Sequence, residues 1–157
     1  MSDRSLPPSG RPSGGRLALG FVAGFIAVLV FHQGMLAFLH AFDFSRSGPY
    51  QMQATWPLGI ARFWSLAFWG GVWGIAYVLV EPWFPRGAGY WLAALLFGAL
   101  GPSLVSWFVS APLHGAPIAG GWHLANMARG LLLNGTWGIG TAISLWLLGK
   151  LAAEKEI

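Results

Sequence analysis

The sequence predicts an all-α fold, a four-helix bundle integral to a membrane, and three observations carry that prediction. The 157 residues are 55% hydrophobic and 9% charged, against about a quarter charged in soluble domains. The apolar residues fall into four runs of bilayer length, with most charges between or outside them. Small residues recur inside the runs at four-residue spacing, which weakens a soluble helix but lets membrane helices approach closely.

Residues 1–15 hold three Pro, three Gly and four Ser with Arg4 and Arg11, a composition that cannot offset its ordering entropy, so 1–16 is expected to be a flexible tail. The first crossing covers 17–39. At 1.5 Å per residue it spans about 34 Å, enough for a hydrocarbon core of roughly 30 Å. It is too long for a signal-peptide core and no convincing small-x-small cleavage site comes after it, so it is expected to stay in the mature protein. The second crossing, 60–80, stops at Glu81, Pro82 and Pro85; the third, 90–111, stops at Pro112; the fourth covers 124–148 and leaves 151–157 as a short tail. Trp56, Trp83, Tyr90, Trp91, Trp122 and Trp146 gather near the ends of these runs, where amphipathic rings meet headgroups.

Arg4, Arg11, Arg16, Arg86, Lys150 and Lys155 fall on one side of this arrangement, and Arg46, Arg62 and Arg129 on the other. The positive-inside rule then puts both termini in the cytoplasm, with 40–59 and 112–123 outside. The net charge of +4 is scattered and forms no basic patch, which points to anionic lipid headgroups and not to nucleic acid. The absence of cysteine excludes disulfides, thiolate metal sites and Cys nucleophiles.

The chain also resembles itself. Gly71-Val72-Trp73-Gly74-Ile75 reads like Gly135-Thr136-Trp137-Gly138-Ile139, 64 positions later. Leu39-His40 matches Leu113-His114, and Gly24 matches Gly98, both at an offset of 74. A first outer loop longer by ten residues reconciles the offsets, and the result is two tandem helical hairpins of parallel topology. The alternative is chance similarity in an alphabet of Gly, Trp, Leu and Ala. Small-residue stripes at Gly20 and Gly24, at Gly70 and Gly74, at Ala94, Gly98, Pro102, Ser106 and Ser110, and at Gly130, Gly138 and Ala142 give every crossing a packing face, for the bundle itself or for a homo-oligomer.

Polar groups at membrane depth are the functional candidates, because an unpaired charge there costs about 2.5–3.5 kcal/mol or more. His32 and Gln33 in the first crossing, Asn126, Arg129 and Asn134 in the fourth, and Arg62 at the start of the second share one depth. Counting in fours aims His32 into the Gly20–Gly24 seam and puts Asn126, Gly130 and Asn134 on one face. One reading is an outward-opening polar pocket for an ion, a small solute or a quinone-like headgroup. The other is structural: the arginines reach headgroups, and the amides and imidazole bond across helices.

No cofactor and no metal is expected. Of the histidines only His32 lies well inside a crossing, while His40, His114 and His123 lie near the outer surface without a ligand spacing. No carboxylate sits inside a crossing, which counts against proton-driven transport, and no nucleophile or phosphate-loop motif is present. The chain is therefore expected not to be an enzyme.

The stretches FHQGMLAFLH (31–40), SLAFWGGVWGI (65–75), YWLAALLFGALGPSLV (90–105) and NGTWGIGTAI (134–143) resemble uncharacterised four-helix inner-membrane proteins of alphaproteobacteria. The resemblance spans most of 17–149 and implies a multi-pass protein of the bacterial inner membrane; it brings no activity to carry over. Two functional classes are compatible with these readings: a non-enzymatic accessory or structural partner of a membrane assembly, or a small transporter or channel using the outer polar cluster.

Overall fold

Among the described residues of the computed structural model, four helices are long and apolar enough to cross a membrane: α1 (Gly14–Ala41), α2 (Arg62–Val80), α3 (Ala88–Leu113) and α4 (Leu124–Glu154). The structure describes residues 12–55 and 57–154. The readings placed on Arg4, Arg11, Trp56 and Lys155 lie outside the described residues.

Local chemistry sets the helix limits. Ser13 caps α1 by accepting from the backbone N–H of Arg16, so the helix starts before the apolar run does. The start of α2 is held by the preceding loop: the carbonyls of Gln53 and Gln51 accept from the N–H groups of Arg62 and Phe63 at 2.8 and 2.9 Å, supplying partners that a helix N-terminus lacks. Ile60 and Ala61, expected in the second crossing, instead form strand β2 (Ile60–Ala61), antiparallel to β1 (Ala54–Thr55) with Thr55 opposite Ile60. Pro82 lies in a short 3-10 turn, Glu81–Trp83, that ends α2. Gly87 then takes φ +67° and admits the turn into α3.

Two π-helical turns interrupt the long helices, at Val28–His32 in α1 and Ser106–Ser110 in α3. Each adds a residue to its turn and so rotates the remainder of its helix about the axis.

Packing is organised as two hairpins, α1 on α2 and α3 on α4, joined mainly along α1 and α4. A Cβ placed on Gly24 would lie 2.9 Å from the Cα of Gly74, and one on Gly98 would lie 2.7 Å from the Cα of Gly138. The carbonyls met one turn away also correspond, Gly70 in the first hairpin and Asn134 in the second. On the return face, Gly74 meets the carbonyl of Gly20 and Gly138 that of Ala94. Beside these, a Cβ on Gly71 would strike the Phe21 ring at 2.6 Å and one on Gly135 would meet Leu95 at 3.0 Å. Every one of these pairs is related by 74 positions on the first helix and 64 on the second. The two hairpins are thus the same structural unit at their seams.

Between the hairpins the correspondence is only partial. Trp137 of α4 is 2% exposed and donates its indole N–H to the Gly24 carbonyl of α1 at 2.9 Å. Its counterpart Trp73 of α2 reaches the other way, edge-on to Phe97 and over Gly101 of α3, and is only partly buried. The backbones of α1 and α4 come close, whereas α2 and α3 meet through Trp73, Tyr77 and Phe97. Outward faces carry exposed Phe68, Trp69, Leu92, Leu96, Leu100, Leu104 and Leu147.

Candidate functional site

The polar residues singled out by depth do not form one hydrogen-bonded cluster. Gln33 is 1% exposed, and its Oε1 accepts from the backbone N–H of Tyr50 at 2.8 Å. Tyr50 in turn donates its hydroxyl to the Leu29 carbonyl and packs edge-on to Phe63. Gln33 therefore ties the loop between α1 and α2 down onto α1. The register explains why Gln33 takes this place: through the π turn at Val28–His32 the buried face passes from Gly20, Gly24 and Val28 to Gln33, not to His32. His32 is only partly buried, although its Nδ1 is enclosed and has no hydrogen-bond partner among the described residues. Arg62 is the cation within electrostatic reach of it.

On α4, Gly130 and Asn134 face α3, not α1. The amide of Asn134 donates to the Ser103 hydroxyl at 2.9 Å, and Ser103 is fully buried. Gly130 faces the Trp107 indole, where a Cβ would find ordinary contact at 3.5 Å. Gly130 is accordingly no point of backbone approach, unlike Gly98 and Gly138. Asn126 turns elsewhere and donates to the Gly120 carbonyl at 3.0 Å, while Arg129 reaches the Asn126 Oδ1 at 3.5 Å. Of the six candidate residues, Asn126 and Arg129 are the pair joined to each other by a hydrogen bond.

The segment that Asn126 holds is conformationally unusual. Ala119, Gly120, Gly121 and Trp122 all have positive φ, between 51° and 73°, making a left-handed turn in which two residues carry a Cβ that disfavours it. Ala119 is nevertheless fully buried, and the Asn126 bond fixes the turn onto the start of α4.

A second polar assembly sits at the opposite end of the bundle, where α1 and α3 begin and α2 and α4 end. Arg16 pairs with Glu81; Tyr90 donates to the other Glu81 oxygen at 2.8 Å; the fully buried Tyr77 bonds the Tyr90 hydroxyl at 3.3 Å. This network joins α1, the end of α2 and α3. It borders a cleft of about 460 Å³ lined also by Trp91, Trp146, Gly149 and Lys150.

No family model, curated protein or solved structure matches the chain. The chemistry of the site therefore rests on its geometry. Among the described residues no group of three His, Asp or Glu is placed to hold a metal ion. What the arrangement can do chemically is bind and position: an ion pair, phenol and indole edges, and the Lys150 ammonium surround an open cleft. In the sequence Glu81 reads as a helix stop and Arg16 as part of a tail, and nothing in the spacing of residues 65 positions apart brings them together. The legible signal was chemical: a carboxylate at the edge of an apolar run needs a cation near it.

Proposed function

We propose that the chain is an integral protein of a bacterial cytoplasmic membrane that serves, without catalysis, as an accessory or structural partner of a larger membrane assembly. One observation carries this reading: the amide groups at membrane depth are spent on holding the bundle and its loops. Asn134 bonds Ser103, Gln33 bonds the Tyr50 backbone, and Asn126 bonds Gly120. A permeation path would need polar groups left free to exchange with a solute.

Membrane insertion is supported by the apolar outward faces, since contiguous exposed leucine and aromatic surface of this extent aggregates in water and dissolves in lipid. The Lys and Arg asymmetry supports a cytoplasmic position for the end with Arg16, Arg86 and Lys150. At the other end Phe42, Phe44, Leu58 and Trp122 stand exposed from the loops and Leu113 from the end of α3, a surface suited to a partner lying on or in the outer leaflet. The likeness to alphaproteobacterial four-helix proteins belongs to the same reading.

The alternative is a small transporter, favoured by the enclosed, unpartnered His32 Nδ1 with Arg62 within electrostatic reach. The two are separated by purification from the native membrane in mild detergent and by flux in proteoliposomes. The accessory reading expects a stoichiometric second polypeptide that is lost when Phe44, Leu58 and Trp122 are changed to Ser. Solute or ion flux through the purified chain, abolished by His32→Leu or Arg62→Gln, would overturn it.

A further inference from the structure

The cleft at the Arg16 end has features that the bundle itself does not require. Lys150 forms no ion pair among the described residues; its ammonium lies 3.9 Å from the centre of the Trp146 ring, held at the rim by cation–π attraction. Gly149 beside it leaves open space, because a Cβ there would meet no atom within 4 Å. Across the cleft, Glu81 is turned toward Arg16 and Tyr90, which occupy both its oxygens. Two cations against one carboxylate leave the lining with one positive charge. Trp91 and Trp146 are exposed and line the cleft, and indole rings favour the headgroup layer. The volume falls in the range of small-ligand sites, about 300–1,000 Å³.

Resting on the membrane reading above, we infer that this cleft binds the phosphodiester headgroup of a singly anionic phospholipid, such as phosphatidylglycerol, at the cytoplasmic surface. Arg16 and Lys150 face the phosphate, and the glycerol enters the space left by Gly149. Acyl chains continue over the exposed apolar face that begins at Trp91 and Leu92. A lining of charge +1 complements a headgroup of charge −1. A zwitterionic headgroup would bring its own ammonium toward the same two cations, and this sets the preference.

The experiment is a titration of the purified full chain in detergent, followed by native mass spectrometry, with phosphatidylglycerol and phosphatidylcholine of identical chains. The wild type should bind phosphatidylglycerol about fivefold or more tightly over phosphatidylcholine, the effect of roughly one cation at a membrane surface. Lys150→Gln and Gly149→Leu should each abolish the preference while leaving the lipid-free melting temperature unchanged, because Lys150 is exposed and a Cβ at Gly149 meets no atom of a helix seam. Equal binding of both lipids by the wild type, or full preference retained in either variant, would overturn the site. Displacement of the lipid by tail-free glycerophosphoglycerol at equal concentration would overturn its assignment to a lipid in favour of a soluble phosphate ester. The membrane reading fails separately, if the chain is recovered in the soluble fraction without detergent.

Discussion

Gly74→Leu and Gly138→Leu are each expected to cost about 3 kcal/mol or more of stability, read as a large fall in detergent thermal melting. Overpacking a core ordinarily costs about 1–3 kcal/mol, because side chains can shift. Here the obstacle is backbone. A Cβ on Gly74 would lie 3.0 Å from the Gly24 Cα, and one on Gly138 would lie 2.9 Å from the Gly98 Cα, so the helices themselves must part. The correspondence of the hairpins adds a sharper expectation: the two substitutions should hurt to a similar degree. Gly34→Leu supplies the control, since a Cβ at Gly34 meets no atom within 4 Å, and it should be nearly neutral. If Leu at Gly74 and Gly138 costs no more than Leu at Gly34, the glycine seams do not hold the hairpins together.

Trp137→Ala should be the most damaging change at the junction between hairpins, at about 3–5 kcal/mol, the range for removing a buried Trp. Its indole is almost completely enclosed and bonds the Gly24 carbonyl. Trp137→Phe keeps most of the volume and loses the bond, at about 1 kcal/mol. Trp73→Ala should fall well short of Trp137→Ala, because Trp73 is only partly buried. Thermal or denaturant unfolding of the three variants decides the matter; an equal or larger loss at Trp73 would contradict the asymmetric junction.

These two groups of residues also show what can be read from sequence. The four apolar runs fall on the four helices, because bilayer-length hydropathy is a strong signal and Glu81, Pro82 and Pro85 stop the second of them. The offsets of 74 and 64 were visible as repeated glycines, and in the structure the same offsets relate one seam to the other. What failed to show in the sequence depends on geometry that spacing does not encode. Counting in fours past Val28 assumes an α-helix, and the π turn there puts Gln33 where His32 would be. The left-handed turn at Ala119–Trp122 contains an Ala and a Trp, residues that give no warning of positive φ. Arg16 and Glu81 are brought together by helix ends meeting, a tertiary outcome. The expected polar cluster drew its residues from one depth, but depth fixes only one coordinate, and Asn134 faces Ser103 while Asn126 faces Gly120.

Because the chain has no cysteine, its membrane disposition can be measured one position at a time against a silent background. Single Cys variants at Ser47, Arg86 and Ala116, all exposed, would be challenged in intact cells with a membrane-impermeant thiol reagent. The account predicts labelling at positions 47 and 116 without permeabilisation, and at position 86 only after it. Labelling of all three under the same condition, or of position 86 alone in intact cells, would contradict a four-crossing bundle with the Arg16 end in the cytoplasm.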